Sequence, residues 1–297
     1  MCKEGKLKTK SDGFILSSTA LDMIEAYKYK SGSYTWLDNK LTPFWNWAVT
    51  LLPMWMAPNL VTSIGLIGIV FSTAIVTSFS PTLESEVPRW CYILFVIFFF
   101  IYQTLDAIDG KQARRTNSSS PLGQLFDHGC DTIVKLLCSI AIAASMRMGS
   151  SWKTMLVFCM IEGVFYFAQW EEYHTGTLNW SNGLFGVTES QYLQMFILLA
   201  AAAFGEDVWV TPIPAAGDLT IWSILIVIIP ACAVLLVGDS VYRVWGSSLT
   251  TLPMEERGRK SVSPLRYWFP WAWEKIEMEG VVRGCAEWLP GEGGDRL

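Results

Sequence analysis

Residues 41–83, LTPFWNWAVTLLPMWMAPNLVTSIGLIGIVFSTAIVTSFSPTL, form a long stretch without one charged side chain. A membrane-spanning helix needs about 20 mostly apolar residues, and residues 59–79 supply such a segment. The part before it is rich in Trp and is interrupted by Pro43, Pro53 and Pro58. Because Trp concentrates at membrane–water interfaces, this part predicts a helix lying at headgroup level. The whole stretch therefore predicts an interfacial helix that leads into a transmembrane helix.

The composition of the chain supports the same fold class. Of 297 residues, 52% are hydrophobic and 16% are charged, against about 25% charged in an average soluble domain. This composition argues against a disordered chain and against an ordinary soluble enzyme. We predict an all-α, polytopic integral membrane protein with about six transmembrane helices and an N-terminal interfacial helix. The predicted spans are 59–79, 90–108, 130–147, 153–170, 190–205 and 219–238.

The spans divide the chain into three regions. Residues 1–57 form a cytoplasmic N-terminal and interfacial segment, which has no apolar run of the length that a cleaved leader requires. Residues 58–241 form the six-span core, and residues 242–297 form an atypical polar, Trp-rich tail. The seven cysteines include no CxxC pair, which argues against a disulfide framework and a zinc site. The net charge of −5 argues against nucleic acid as a partner.

Basic residues orient the predicted spans. With the N-terminus in the cytoplasm, 18 Lys and Arg residues fall on the cytoplasmic side of the membrane and 3 on the opposite side. Cytoplasmic segments of membrane proteins are enriched in Lys and Arg. We therefore expect the N-terminus, the 109–129 loop and the C-terminus to face the cytoplasm.

The chemistry is concentrated in residues 105–132, LDAIDGKQARRTNSSSPLGQLFDHGCDT. Asp106 and Asp109 are three residues apart and Asp127 and Asp131 are four apart, so each pair lies on one helix face. Two such helices packed together would bring four carboxylates into one group, whose repulsion requires a cation. Carboxylate ligands select Mg²⁺, Mn²⁺ or Ca²⁺, and a two-metal site typically serves displacement at phosphorus. The alternative is a charge cluster at the helix ends that is only solvated.

These residues also carry a resemblance to a known family. Their spacing, Asp106-x2-Asp109-Gly110-x2-Ala113-Arg114-x8-Gly123-x3-Asp127-x3-Asp131, resembles the CDP-alcohol phosphotransferase signature at every fixed position. The segments DGKQARRTNSSSPLG and LFDHGCD are similar to the corresponding sequence of the eukaryotic choline/ethanolamine phosphotransferases. The resemblance covers about residues 27–241. Members of this type carry further spans, so the resemblance implies that the last spans are missing from this sequence and replaced by an unrelated tail.

The resemblance implies a ligand set and a reaction. It implies that Asp106, Asp109, Asp127 and Asp131 bind two Mg²⁺ or Mn²⁺ ions, which hold the diphosphate of a CDP-alcohol. It further implies that diacylglycerol attacks CDP-ethanolamine or CDP-choline, so that CMP leaves and phosphatidylethanolamine or phosphatidylcholine forms. The substrate-binding residues that it implies are Asn59, Gly110, Ala113 and Arg114. A helix N-cap remains the alternative role for Asn59.

The hydroxyl of diacylglycerol needs a base. The resemblance implies that His128 takes this proton, with Asp131 as the rival base and a role in orienting Asp127 as the alternative for His128. An unperturbed imidazole titrates near neutrality, which suits a base. The family commonly has Glu four residues before this His, whereas this chain has Gln124. Gln accepts a hydrogen bond but supplies no charge, so we expect an altered rate or pH optimum.

The expected partners are CDP-ethanolamine or CDP-choline, diacylglycerol and membrane lipid, with a homodimer left open. The resemblance implies residence in the endoplasmic reticulum or Golgi membrane, with the active site facing the cytoplasm. Two other functions stay open: a truncated, inactive or regulatory membrane homologue, and a phosphotransferase with another acceptor alcohol. Lys111 and Arg115 are interpreted as general basic groups for anionic substrate and lipid.

Two charges within the predicted spans need partners. Lys135 and Glu162 lie in spans three and four, where an unpaired charge costs about 2.5–3.5 kcal/mol on insertion scales. Their depths below the cytoplasmic ends predict an interhelical Lys135–Glu162 ion pair. The rival prediction pairs Lys135 with Asp131, its neighbour one helical turn away.

Overall fold

The computed structural model describes residues 30, 32, 34–179, 181, 185–213 and 217–251, with side chains as far as 247. The chain divides into two units, residues 1–241 and residues 242–297. Within the described part of the second unit, residues 242–251 are helical. The predicted tail lies otherwise outside the described residues, as does most of the N-terminal segment before residue 34.

The described residues form seven α-helices and two short 3₁₀ helices, with no strand beyond isolated bridges. The fold is therefore all-helical, as predicted. The α-helices are α1 (Trp36–Ala48), α2 (Pro58–Phe79), α3 (Arg89–Arg115), α4 (Pro121–Ser145), α5 (Trp152–Thr175), α6 (Val187–Phe204) and α7 (Ile221–Thr251); the 3₁₀ helices are Val49–Leu51 and Glu206–Trp209.

Local sequence signals fix several helix ends. Thr35 caps α1: its hydroxyl accepts from the Asp38 amide at 3.1 Å, and the Asp38 carboxylate accepts from the Thr35 amide at 2.9 Å. Pro58 occupies the first position of α2, where the missing amide proton costs nothing. Ser120 caps α4 by accepting from the amide of Gly123 at 3.1 Å. This last cap starts the helix that carries Asp127 and Asp131.

The main core is formed by α2, α3, α4 and α6. Within it, α2 and α3 approach each other closely, because glycines of α2 face bulky residues of α3. A Cβ added to Gly65 would lie 2.9 Å from Cδ2 of Tyr102, and one added to Gly68 would lie 2.5 Å from Cδ1 of Phe98. Glycine at these positions therefore lets α2 lie directly against the helix that carries Asp106 and Asp109.

Each of the six predicted spans overlaps a helix. Among the described residues, three of these helices, α2, α3 and α7, are long and apolar enough to cross a membrane. The predicted spans three, four and five fall on α4, α5 and α6. Of these, α4 carries Asp127, Asp131 and Lys135, and these charges lower its mean hydropathy.

A polar network closes the end of the bundle away from the aspartates. Glu206 is buried, and its carboxylate accepts from the Tyr92 hydroxyl at 2.6 Å, from the Val87 amide at 2.9 Å and from Nε of Arg147 at 2.6 Å. Arg147 also donates to Asp207 at 3.0 Å and to a further carboxylate of the α2–α3 loop. A buried carboxylate with this many donors is well compensated, which stabilises this end of the protein.

Candidate active site

Three of the four predicted carboxylates converge where α3 packs against α4. One carboxylate oxygen from each of Asp106, Asp109 and Asp127 lies within 4.8 Å of the others. Asp109 is buried, and the other two are half-buried. The predicted convergence is confirmed for these residues, whose spacing places them on facing sides of two helices. We refer to these three residues as the carboxylate group.

The oxygens of the carboxylate group differ in their hydrogen-bond partners. The Thr62 hydroxyl of α2 donates to Oδ2 of Asp109. Oδ1 of Asp127, by contrast, is buried and has no hydrogen-bond partner among the described residues. Buried oxygens in proteins are normally paired, so an unpaired carboxylate oxygen on a residue of this group is suited to a hard cation.

Asp131 lies beside the carboxylate group and has different partners. The Tyr102 hydroxyl of α3 donates to Oδ1 of Asp131 at 2.9 Å, and lies 3.5 Å from Oδ1 of Asp106. Nζ of Lys135 lies 3.6 Å from Oδ2 of Asp131. The sequence predicts that all four aspartates converge. The structure leaves Asp131 outside the group of three whose oxygens lie within 4.8 Å of one another, and both oxygens of Asp131 have protein partners.

The predicted Lys135–Glu162 ion pair is wrong. Lys135 turns to Asp131 on its own helix, and its ammonium lies 3.8 Å from the ring centroid of Phe165. An Asp four residues before a Lys is a favourable helical pair, and the aromatic face adds a second attraction for the ammonium. Oε1 of Glu162 is buried without a hydrogen-bond partner among the described residues.

His128 faces α5. Its ring packs edge-on against Phe165 with centroids 6.5 Å apart, and its side chain hydrogen-bonds with Gln169. Gln124, one turn earlier, donates from Nε2 to Oε1 of Glu172 at 3.2 Å. The residue that replaces the family's Glu therefore contacts an acidic side chain of α5, a contact that an ionised Glu at this position could not make.

The predicted substrate-binding residues surround the same helix ends. Nη1 of Arg114 would lie 3.7 Å from a Cβ added to Gly110, the residue after Asp109. Oδ1 of Asn59 would lie 3.6 Å from a Cβ added to Gly123. Asn59 is the second residue of α2, whose N-cap is Ala57, so the alternative role of Asn59 as an N-cap is wrong.

Ala113 and Arg114 lie one turn after Gly110 near the C-terminal end of α3. Ala113 is half-buried, whereas Arg114 is exposed. A small side chain beside an exposed guanidinium leaves space for a ligand to approach this end of the helix.

Three polar residues in the last turns of α3 hold the segment that precedes α2. Lys111 donates to Oδ1 of Asn46 at 2.9 Å, and Arg115 donates to the carbonyl of Val49. Nε2 of Gln112 donates to two carbonyls of the loop 53–56, at 3.0 and 3.1 Å. Lys111 and Arg115, interpreted from the sequence as general basic groups, thus anchor the N-terminal segment to the helix of the active site.

Sequence reasoning missed several residues of the site. Tyr102 lies one turn before Asp106, and that spacing was a usable signal for a shared helix face. Thr62 and Gln169 belong to other helices, so no spacing relates them to the aspartates. Their contacts depend on which helices become neighbours.

Comparison with known proteins agrees with this site. Residues 55–229 match the family described as CDP-alcohol phosphatidyltransferase. Cholinephosphotransferase 1 of Xenopus laevis is 41% identical over 206 residues, which cover 68% of this chain and 50% of that protein. The human cholinephosphotransferase 1 is 40% identical over 201 residues, covering 67% of this chain and 49% of that protein. An uncharacterized CDP-alcohol phosphatidyltransferase class-I family protein 2 of Dictyostelium discoideum is 42% identical over 196 residues, 65% of this chain and 47% of that protein.

The chain spans about half the length of the curated relatives it matches. The matched segment nevertheless includes α2, α3, α4, α5 and α6 and every aspartate of the site. The match extends over more than half of the chain. This integral membrane chain therefore belongs to the CDP-alcohol phosphatidyltransferase family.

Proposed function

We propose that this protein transfers phosphocholine or phosphoethanolamine from a CDP-alcohol to diacylglycerol in a Mg²⁺-dependent reaction, making phosphatidylcholine or phosphatidylethanolamine and CMP. The single observation that carries the proposal is the carboxylate group of Asp106, Asp109 and Asp127, set within the signature of the family. The names of the relatives from Xenopus laevis and human support choline as the headgroup. Ethanolamine is retained as the second headgroup.

The residues of the carboxylate group fit a divalent metal ion. They offer hard oxygen donors within 4.8 Å of one another, and Oδ1 of Asp127 is a buried acceptor without a partner among the described residues. We propose that Asp106, Asp109, Asp127 and Asp131 hold two Mg²⁺ or Mn²⁺ ions. Ions held by these residues would neutralise the diphosphate and would stabilise the charge that develops on the leaving phosphate.

Other residues of the chain position the CDP-alcohol. Arg114 offers a planar guanidinium suited to a phosphate. Gly110 and Ala113 leave space beside α3 for the nucleotide, because neither has a large side chain. Asn59 lies against the first turn of α4 and is proposed as a further contact of the nucleotide.

The transfer forms one bond and breaks another. The hydroxyl oxygen of diacylglycerol bonds to the β-phosphorus, the bond from that phosphorus to the bridging oxygen breaks, and CMP leaves with the bonding electron pair. We propose that His128 takes the hydroxyl proton. Asp131 is disfavoured as the base because the Tyr102 hydroxyl and the Lys135 ammonium already contact its two oxygens.

We further propose six membrane spans with the active site facing the cytoplasm, in the endoplasmic reticulum or Golgi membrane. The bias of Lys and Arg supports the orientation. The partners in this proposal are the CDP-alcohol, diacylglycerol and membrane lipid. Whether the protein forms a homodimer is tested by measuring its molecular mass in solution.

The function is tested with purified protein in lipid nanodiscs. Radiolabelled CDP-choline and CDP-ethanolamine are supplied in parallel with diacylglycerol and Mg²⁺, and both labelled phospholipid and CMP are measured. We expect phospholipid and CMP in equal amounts, with no turnover in EDTA or in Asp127→Asn.

Asp207→Asn is the matched control, because Asp207 is an exposed acid at the other end of the bundle. This variant should keep full turnover. If the wild-type protein is folded but turns over neither CDP-alcohol, the proposal is contradicted and the chain is an inactive homologue. If turnover occurs only with another acceptor alcohol, the protein is a phosphotransferase of the family that does not use diacylglycerol.

A further inference from the structure

Tyr102 joins the two helices that carry the aspartates. It is fully buried on α3, and its hydroxyl lies 2.9 Å from Oδ1 of Asp131 on α4 and 3.5 Å from Oδ1 of Asp106 on its own helix. A phenol has one proton to donate, and the shorter distance assigns that proton to Asp131. Asp106 lies close enough to accept the same proton after a small movement.

The position of Tyr102 is fixed from the side of α2. A Cβ on Gly65 would lie 2.9 Å from Cδ2 of Tyr102 and 3.2 Å from its Cα, distances that would force a shift. Because the second of these atoms is backbone, the shift would involve α3 itself and not the ring alone. Gly65 therefore brings α2 close enough to confine the tyrosine ring, and the ring in turn directs the hydroxyl to Asp131.

Asp131, which accepts the hydrogen bond from Tyr102, also contacts a cation. Oδ2 of Asp131 faces the ammonium of Lys135, which lies over the Phe165 ring. Asp131 thus has a neutral donor on one oxygen and a cation on the other. The three residues of the carboxylate group next to it depend on charge compensation from elsewhere.

We propose that Tyr102 is a positioning residue for the metal site, and that its hydroxyl holds Asp131 beside the carboxylate group in the arrangement that binds a divalent cation. This inference rests on the proposed function, since that function supplies the metal. Residues that hydrogen-bond to ligating carboxylates commonly change metal affinity about 10–100-fold when mutated. We expect Tyr102→Phe to weaken Mn²⁺ binding by at least about 10-fold on this basis.

Tyr92 provides a matched control within the same helix. It is also fully buried on α3, and its hydroxyl donates to a buried carboxylate, Glu206, at 2.6 Å. Tyr92→Phe therefore removes the same chemical group from a comparable environment at the opposite end of the bundle. A purely structural role for Tyr102 predicts similar effects for the two variants.

The experiment measures Mn²⁺ binding directly. Wild-type protein, Tyr102→Phe and Tyr92→Phe are placed in nanodiscs without nucleotide, and free Mn²⁺ is measured by electron paramagnetic resonance during a titration. We expect unchanged affinity for Tyr92→Phe and affinity at least about 10-fold weaker for Tyr102→Phe, with turnover recovering at high metal concentration. Equal affinities in the two variants would overturn the inference while leaving the proposed function intact.

Wild-type protein that binds no Mn²⁺ would instead contradict the metal dependence of the proposed function. A second pair of variants covers the case in which Tyr102→Phe does not fold. Gly65→Ala displaces Tyr102, whereas Gly68→Ala meets the ring of Phe98 one turn further along α2. Weaker Mn²⁺ binding confined to Gly65→Ala supports the inference, and equal binding in both overturns it.

Discussion

Asp127→Asn should stabilise the metal-free protein while it abolishes activity. At a pH at which all three carboxylates are ionised, the substitution removes one negative charge from a group whose oxygens lie within 4.8 Å of one another. At an effective dielectric constant of about 20, two charges at that distance repel by about 3.5 kcal/mol. The neutral amide would end the repulsion with both Asp106 and Asp109. Water in the metal-free site screens part of this energy, so we expect a gain of about 1–3 kcal/mol in the free energy of unfolding.

Thermal unfolding in EDTA provides the measurement, because the 15 Trp residues give an intrinsic fluorescence signal. A gain of this size corresponds to a rise in Tm of roughly 2–5 °C for a chain of this length. Added Mg²⁺ should raise the Tm of the wild type and leave that of Asp127→Asn unchanged, since a ligand stabilises only the state that binds it.

Glu206→Gln is the matched control for this prediction. Glu206 is also a buried carboxylate, but it accepts from the Tyr92 hydroxyl, the Val87 amide and Arg147. Removing that charge breaks a compensated ion pair, which should lower stability by about 3–5 kcal/mol. The two neutralising substitutions should therefore change the free energy of unfolding in opposite directions. A metal-free Tm for Asp127→Asn at or below that of the wild type would refute the argument from carboxylate repulsion.

Three further predictions concern the base, a substrate contact and the hydrogen bond between α4 and α5. His128→Ala should lower kcat far more than it weakens CDP-alcohol binding, since a base acts in the transition state; lost binding with near-normal kcat at saturation would show a positioning role instead. Arg114→Lys should raise KM for the CDP-alcohol about 10-fold or more in steady-state assays, because Lys cannot make the bidentate phosphate contact that the proposed function gives to Arg114. An unchanged KM would remove Arg114 from the substrate site. Gln124→Glu should lower the free energy of unfolding by about 1–3 kcal/mol, because it replaces the donor to Glu172 with a carboxylate. Glu172→Gln in the same chain should restore stability, and no recovery in the melting curve would mean that the two side chains do not interact.

Helix periodicity was sufficient to predict the two aspartate pairs, three members of which form the carboxylate group. The offsets of three and four residues place Asp106 with Asp109, and Asp127 with Asp131, on single faces, and the short 116–120 connection makes α3 and α4 successive helices. The length of the apolar segments located all six on helices, because long, mostly apolar runs leave a buried or membrane-embedded helix as the economical way to satisfy the backbone.

Periodicity could not predict the partners of Lys135. The depths of Lys135 and Glu162 in the membrane put Glu162 within reach of the Lys135 side chain. The spacing of one helical turn on α4 put Asp131 within its reach as well. The choice depends on the rotation of α5, which directs Phe165 to the ammonium. Helix rotation is set by packing over the whole interface, and no short stretch of sequence encodes it.

The sequence by itself determined the helical class, the aspartate pairs and the family signature, since each follows from local composition or fixed spacing. Only the tertiary structure decided that Asp131 stands apart from the other three aspartates. The partners of Asp131 are the Tyr102 hydroxyl of α3, a residue packed against Gly65 of α2, and the ammonium of Lys135. A carboxylate takes its role from the donors that neighbouring helices bring to it, and those neighbours are chosen by close packing of the whole bundle.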